Sequence, residues 1–347
     1  MAELSISYFS GNGTETTYVS LPDAEAEPEM SRLVKAAPDD TAKMDAMMGW
    51  LAKNPRKVES AQIGGVDEAT ARRYAKALAA PTLSLSVEKL RGDWLAAEHA
   101  ATLVDLDIDD ISALELSALA ELPKLRRLAI WAAKPIDLTF LTRLPALREL
   151  RVGGVDALVL PKLPRLETLT LVALTVADGG LAGATALTSL TLDGAALGKK
   201  PGALPALERL HYEGQREEPL AAFFNGTPAL KSVTGNLLNI PERATVSLDM
   251  LAPCTSLEEI QLDVRKLDGL GTLAKLPKLT SLALNADTPG VVDVVKLKLT
   301  GLTTLKAYGQ LTVANIDKAP KLVELCVSTI DDLAPLQVAD DAAVAMP

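Results

Sequence analysis

A short phrase of the form LxxLxL recurs along most of this chain, and it restricts the possible folds more than any other feature. Successive copies begin at steps of 22, 22, 19, 21, 20, 23, 27, 22, 23 and 20 residues. A unit this short cannot bury its apolar side chains alone, so neighbouring units must stack and share one continuous core. The sequence therefore predicts a solenoid. The first leucines of the copies are Leu103, Leu125, Leu147, Leu166, Leu187, Leu207, Leu230, Leu257, Leu279, Leu302 and Leu322.

Two weaker copies precede the first clear one. The segments VESAQI at 58–63 and TLSLSV at 82–87 fit the same frame, at steps of 24 and 21 residues before Leu103. They raise the number of repeats from 11 to about 13. We therefore predict that the solenoid spans residues 58–328.

The segments outside the repeats predict caps for the two ends of the solenoid. Leu4–Phe9 and Thr16–Leu21 have strand composition and flank Asn12-Gly13, which is a strong hairpin turn signal. Apolar residues then recur at helical spacing over Asp40–Lys53, and Asn54-Pro55 ends the pattern. The exposed first layer of a solenoid core needs a cover. We predict an N-terminal cap at 1–57, built from the hairpin and the helix, and a C-terminal cap and tail at 329–347.

The alternation of side chains along a strand predicts one exposed face of the sheet. If the leucines of LxxLxL point into the core, the residues between and beside them point to the opposite, concave side. Aromatic residues make up 3% of the chain, so an exposed one is informative, because aromatic and Arg side chains dominate binding hot spots. Trp131 either serves as such a contact or packs across Gly153. The candidate partner-binding residues are Asp105, Asp107, Asp109, Arg127, Trp131, Glu149, Arg151, Arg209, His211, Glu213, Lys306 and Tyr308.

The charge balance indicates the class of partner. The chain carries 35 Lys and Arg against 45 Asp and Glu, a net charge of -10. Affinity for phosphate backbones depends on clustered cations, so we expect no nucleic acid partner. On the predicted concave face, ten acidic residues (with Glu88) stand against four basic ones. An acidic face favours a protein partner with a basic surface.

The sequence predicts no catalytic centre, metal site or cofactor. Asp105, Asp107 and Asp109 begin like a calcium-binding loop, but Asp110 stands where glycine is needed and Leu116 where a bidentate Glu is needed. His99 and His211 are about five repeats apart, so they cannot form a zinc site or a catalytic relay together.

The termini and cysteines bear on cellular location. The first residues lack a basic segment followed by an apolar one, and no run of 18 apolar residues occurs, so we expect a cytoplasmic chain without membrane contact. Cys254 and Cys326 lie three repeats apart, which is roughly 14 Å at the spacing of neighbouring strands. A disulfide needs Cα atoms within about 7 Å, so none is expected between them.

The repeats resemble those of bacterial leucine-rich-repeat proteins, strongly over 103–327 and weakly over 58–87. The resemblance implies an α/β fold: a right-handed, horseshoe-shaped solenoid with a parallel sheet on its concave side and short helices or turns on the convex side. It also implies a binding scaffold. That family usually places Asn or Cys three residues after LxL, where the side chains form a ladder between turns. We predict no such ladder, because this chain has Ala133, Val155, Leu174, Ala195, Gln215, Leu238, Arg265, Asp287, Gln310 and Ile330 at those positions.

These features predict a non-enzymatic scaffold that binds a partner protein on its concave, acidic face. A narrower hypothesis is an immunity or inhibitor protein that occupies a basic toxin or nuclease. One alternative is a structural subunit that uses its edges or caps, for which the apolar insert within the 27-residue step between Leu230 and Leu257 is the discriminating feature. Another is an effector with an enzymatic domain, which is disfavoured because the sequence has no segment for a domain with a catalytic Cys.

Overall fold

The computed structural model describes residues 2–10, 13–21, 26–53, 60–64, 68–77, 81–86, 101–108, 119, 122–132, 137–154, 157–213, 222–237, 245–330 and 343–345. These residues form two compact units, Met1–Val155 and Asp156–Pro347. Among the described residues, the α-helices longer than a single turn lie in the first unit.

The first unit begins with an antiparallel pair of strands that leads into a parallel sheet. The first two strands pair with each other antiparallel, the second pairs antiparallel with the third, and the strands from the third onward run parallel. The predicted hairpin is thus confirmed, and it continues the edge of the repeat sheet. The elements are β1 (Ala2–Ser10), β2 (Gly13–Leu21), α1 (Ala26–Ala36), α2 (Asp40–Lys53), β3 (Ser60–Gly64), α3 (Glu68–Ala77), β4 (Thr82–Ser86), β5 (Asp105–Ile108), β6 (Arg127–Trp131) and β7 (Glu149–Gly153).

The predicted helix over Asp40–Lys53 is confirmed as α2. Met47, Met48 and Trp50 on this helix are buried. The indole Nε1 of Trp50 donates a hydrogen bond of 3.2 Å to Glu29 on α1, which joins the two helices. The indole therefore buries its apolar rings and still satisfies its one donor.

The second unit is a parallel sheet that continues the same repeat. Each strand from β8 to β19 that carries the repeat pairs in parallel with the next. Its strands are β8 (Thr168–Val172), β9 (Thr175–Val176), β10 (Ser189–Asp193), β11 (Ala196–Leu197), β12 (Arg209–Glu213), β13 (Ser232–Leu237), β14 (Val246–Ser247), β15 (Glu259–Val264), β16 (Leu267–Asp268), β17 (Ser281–Asp293), β18 (Thr304–Ala314), β19 (Glu324–Ile330) and β20 (Ala343–Ala345).

The return segments of the second unit are turns, short two-strand pairs and single turns of 3-10 helix. β9 pairs with β11 and β14 with β16, apart from the main sheet. 3-10 turns occupy Leu248–Leu251, Leu270–Lys275 and Ile316–Lys318, and Thr139–Arg143 plays the same part in the first unit. β20 pairs with β19 in parallel, so the tail contributes one strand that the repeat pattern does not predict.

Among the described residues, the repeat accounts for thirteen parallel strands, β3 to β7 in the first unit and eight in the second. This architecture confirms the predicted fold class, a leucine-rich-repeat solenoid built on a parallel sheet. The domain boundaries inferred from the repeats stay predictions.

Strand alternation sorts the side chains as the repeat predicts. In β10, Leu190 and Leu192 are buried while Ser189 and Thr191 are half-buried and Asp193 is exposed. Corresponding leucines stack along the sheet because the strands pair without a shift in register at these positions. One such buried column in the second unit is Leu169, Leu190, Leu210, Val233, Ile260, Leu282, Leu305 and Leu325.

Backbone groups of neighbouring turns bond directly to each other. The carbonyl of Glu167 accepts bonds from the N–H groups of both Thr188 and Ser189, at 2.9 and 3.0 Å, and the same two-to-one pattern recurs from turn to turn. The hydroxyl of Thr188 also donates to that carbonyl at 3.1 Å. At two positions that could carry a ladder residue, the carbonyls of Leu174 and Arg265 accept backbone bonds of 2.8 and 3.0 Å from the next turn. Backbone polar groups of neighbouring turns are thus paired directly with each other at these positions.

Candidate functional site

Charged residues of the first unit form a row across three neighbouring strands. Asp105, Arg127 and Glu149 are direct partners in register on β5, β6 and β7. Arg127 Nε donates to Asp105 Oδ1 at 2.9 Å. This hydrogen bond, more than the surrounding negative charge, raises the pKa of Arg127. Acidic and basic candidates of the first unit therefore share one surface, in which Arg127 pairs with Asp105.

The same surface carries an exposed aromatic residue. Trp131 is 41% exposed. Its six-membered ring lies where a Cβ on Gly153 would be, so the indole rests on the glycine backbone of the adjacent strand. The two interpretations of Trp131 are thus compatible, because packing on Gly153 fixes the ring and leaves one side open to solvent.

Asp107 and Arg151 lie on the strands on either side of β6. Arg151 is exposed, and Ala129 separates it from Asp107 in the same row. Asp107 is half-buried. Asp109 lies outside the described residues. We call Asp105, Arg127, Trp131, Glu149 and Arg151 the Trp131 surface.

The candidates Arg209, His211 and Glu213 lie on β12 of the second unit. His211 Nδ1 is 2.9 Å from the hydroxyl of Thr234, and its Nε2 is 3.3 Å from Glu213. Arg209 is exposed on the same strand. Both imidazole nitrogens of His211 therefore have neighbours on the sheet itself, which suits a polar surface residue.

The exposed face of the second unit contains a depression of about 420 Å³. We call it the Ala283 depression, after the short side chain at its centre. Ala283 lies in register between Gln261 on β15 and Lys306 on β18. The lining comprises Glu259, Gln261, Asp263, Ser281, Ala283, Leu284, Thr304, Lys306, Tyr308 and Glu324.

Two predicted residues, Lys306 and Tyr308, lie in this depression. Lys306 Nζ is 2.7 Å from Glu324 Oε1, and hydrogen bonding to that carboxylate raises the pKa of Lys306. The pKa of Tyr308 is raised chiefly by burial and also by a hydrogen bond with Cys326. One strand, β13, lies between His211 on β12 and the wall of the depression on β15, so the β12 residues and the depression are adjacent but separate places on the sheet.

Sequence reasoning placed Glu259, Asp263 and Glu324 on the exposed face but did not select them as a site. The signal that distinguishes them is the small Ala283 at an outward-facing strand position with longer residues on both sides. The short side chain of Ala283 leaves a gap between the longer side chains of Gln261 and Lys306 on the adjacent strands.

The described residues contain no group of three or more His, Cys, Asp or Glu side chains arranged to hold a metal ion. Nor does any helix among them have the length and apolar character needed to cross a membrane. Cys254 and Cys326 are both free thiols. Cys254 is fully buried beside Thr227 and the carbonyl of Phe224, and this burial raises its pKa.

Comparison with known proteins gives likeness in structure alone. No protein-family model matches the sequence, and no curated protein matches it. The solved structures that resemble it include the TLR13–ssRNA13 complex, at 22% identity and a TM-score of 0.53 over 74% of this chain and 40% of the TLR13 chain. An internalin (inlF) from Listeria monocytogenes str. 4b F2365 aligns at 19% identity and a TM-score of 0.48, over 94% of this chain and 95% of its own. This chain thus spans less than half the length of the TLR13 chain, and the likeness concerns the fold.

Proposed function

Because the chain has the leucine-rich-repeat fold, we propose that it is a non-enzymatic scaffold that binds a partner protein on the exposed face of its parallel sheet. The observation that carries this proposal is Trp131, a large aromatic side chain that is 41% exposed on a face rich in polar and charged residues. Gly153 beneath the ring holds it in one place. A fixed aromatic that shares its exposed face with arginines has the composition of a binding hot spot.

The rigidity of the surface supports binding with little loss of entropy. Trp131 lies on a strand whose neighbours hold it in register, and Arg127 is held by its hydrogen bond with Asp105. Side chains that are ordered before binding lose less freedom when the partner arrives. The contact energy of these anchors is therefore converted into affinity.

The charge of the face favours a partner with a basic surface. On the second unit, Asp193, Glu213, Glu259, Asp263 and Glu324 point outward from the sheet. Negative potential of this kind speeds encounter with a cationic protein and repels phosphate backbones. The TLR13 structure is a complex with ssRNA, so single-stranded RNA is the competing class of ligand in the binding experiment.

A narrower form of the proposal is an immunity or inhibitor protein that acts in the cytoplasm. The acidic face would cover the basic active surface of a toxin or nuclease. The net charge of -10 is the observation behind it. This form predicts that the captured partner is basic and loses its activity in the complex.

Affinity capture tests the site. The full chain and an Arg127→Ala, Trp131→Ala, Arg151→Ala variant are used as bait in lysate of the organism that encodes them. A matched variant, Lys124→Ala, Val159→Ala, Lys162→Ala, removes two cations and one exposed apolar side chain away from the sheet strands. We expect a basic protein to bind the full chain and the matched variant, and to bind the first variant at least about tenfold more weakly.

Reconstitution with the purified partner then decides the class of ligand. Binding of that protein should weaken with added salt, because it relies in part on charge. Equal binding by both variants would contradict the Trp131 surface and favour an edge or cap, as in a structural subunit. Tighter binding of single-stranded RNA than of any protein would contradict the proposed partner class.

A further inference from the structure

The Ala283 depression is a concave site built entirely within the second unit. Its volume of about 420 Å³ falls within the range of about 300–1,000 Å³ that is usual for ligand pockets. It lies on the exposed face, and its lining among the described residues comes from β15, β17, β18 and β19. The floor is made by Ala283, and the walls are made by longer side chains of the neighbouring rows.

The charges around the depression do not cancel. Glu259, Asp263 and Glu324 contribute three carboxylates against the single ammonium group of Lys306. Lys306 Nζ lies 2.7 Å from Glu324. Because Lys306 pairs with Glu324, no other cation of the lining remains for Glu259 and Asp263 on β15.

The wall on β15 is preorganised. Ser232 on β13 donates a hydrogen bond of 2.9 Å to Glu259 Oε2, which orients this carboxylate from outside the depression. Glu259 and Asp263 are four residues apart on one strand, so both point outward and stand on two sides of Gln261. The depression thus offers acceptors at separate points, which a ligand with several diverging donors can reach together.

We infer that the Ala283 depression binds the guanidinium group of an arginine side chain. A guanidinium has five N–H donors in one plane and can bond several acceptors at once, whereas the ammonium of lysine is a compact point charge. Tyr308 adds an aromatic ring to the wall, and arginine stacks well on such rings. The identification rests on the proposed function in one respect, which is that the arginine is taken to belong to the partner protein.

Other ligand classes fit the depression less well. An anion would meet three carboxylates. A metal ion would need clustered ligands, and the described residues contain no group of three or more His, Cys, Asp or Glu side chains with that arrangement. A purely apolar group would take water from Glu259, Gln261 and Asp263 without offering them donors, which is costly.

A peptide titration tests the inference without the partner. The probes are acetyl-Gly-Arg-Gly-amide, the same peptide with citrulline, which keeps the shape but lacks the charge, and the same peptide with lysine. Binding is followed by the NMR shift of the Ala283 methyl group in the full chain. The methyl group of Ala129, on the exposed face of the first unit, serves as a reference.

Two variants with the same change in net charge make the test specific. Glu259→Gln with Asp263→Asn removes the two carboxylates of the depression that are not paired with Lys306, and the amide of Gln can still accept the bond from Ser232. Asp193→Asn with Glu258→Gln neutralises two exposed acids outside the lining. Circular dichroism checks that both variants are folded.

We expect the arginine peptide to shift the Ala283 signal in the full chain and in the second variant, and to bind the first variant at least about fivefold more weakly. Citrulline should have no effect, and lysine should bind more weakly than arginine. An absent shift at Ala283, equal binding by the two variants, or an equal shift of Ala129 would overturn the inference. Because no partner is needed, failure here leaves the Trp131 surface intact, and loss of the Trp131 surface leaves this result intact.

Discussion

The contact between Trp131 and Gly153 predicts a reversal in the effect of one substitution. A Cβ on Gly153 would overlap the six-membered ring of Trp131. Gly153→Ala should therefore destabilise the chain when the tryptophan is present. In a Trp131→Ala background the same change should stabilise it, because alanine loses less backbone entropy than glycine on folding.

The structure sets the magnitudes. Trp131 is 41% exposed, so somewhat over half of its surface is covered. With about 220 Å² for a whole Trp side chain, the covered part is near 130 Å², and its loss costs at most about 3 kcal/mol. Overpacking costs about 1–3 kcal/mol, so we expect Gly153→Ala to cost about 1.5 kcal/mol alone. Without Trp131 it should gain about 0.5 kcal/mol.

Urea unfolding of four proteins measures this difference. The full chain, the two single variants and the double variant are unfolded at 25 °C and followed by circular dichroism. The expected coupling energy between the two positions is about 2 kcal/mol. If the two changes were additive within about 0.5 kcal/mol, the ring would not rest on Gly153 and the rigid hot spot would lose its physical basis.

Three further outcomes follow from the second unit. Asp293 is buried and accepts bonds from two backbone N–H groups, of which that of Lys296 lowers its pKa most. The pKa of Asp293 is lower in the folded chain than in the unfolded chain, so its charge stabilises the fold at pH values above the unfolded pKa of about 3.9. This stabilisation is lost as the pH falls through the folded pKa. The urea midpoint at pH 7 should therefore be higher for the full chain than for Asp293→Asn, and the two midpoints should approach each other as the pH falls to 3. A disulfide-exchange reagent should label Cys326 in the native chain and Cys254 only after unfolding, because burial raises the pKa of Cys254 and shields it; rapid native labelling of both would contradict this. Leu282→Ala, at a fully buried position, should lower stability by about 3 kcal/mol in the same urea assay, while the outward Ser281→Ala should stay within about 0.5 kcal/mol. Equal losses would mean that the inward and outward faces are wrongly assigned.

Much of the fold could be predicted because the repeat carries its own register. Each register leucine stands two residues before a strand, as Leu187 does before β10 and Leu207 before β12. The periods of a strand and of a helix are local properties of the backbone, so α2 and the two strands of the hairpin were also predictable. The strand β20 was not, because three residues of low complexity gain a partner only when β19 offers its edge.

The candidate site was predictable in part. The outward positions follow from alternation, and the register suggested that Trp131 and Gly153 are neighbours. Sequence reasoning considered Asp105 together with Asp107 and Asp109, whereas Arg127 pairs with Asp105 across the strands. It also passed over Glu259 and Asp263, because no single strand shows that Ala283 leaves a depression between them and Lys306.

The sequence by itself determined the repeat, the strand register and the choice of buried leucines, since these depend on a short period and on the transfer of apolar side chains from water. Only the tertiary structure decided which outward side chains meet and where space remains among them. The ion pair of Arg127 and the support of Trp131 each join residues 22 apart, and the Ala283 depression needs strands from three or more repeats. Rotamers of long surface side chains are selected by neighbours on adjacent strands, so this part of the site exists only after the repeats have stacked.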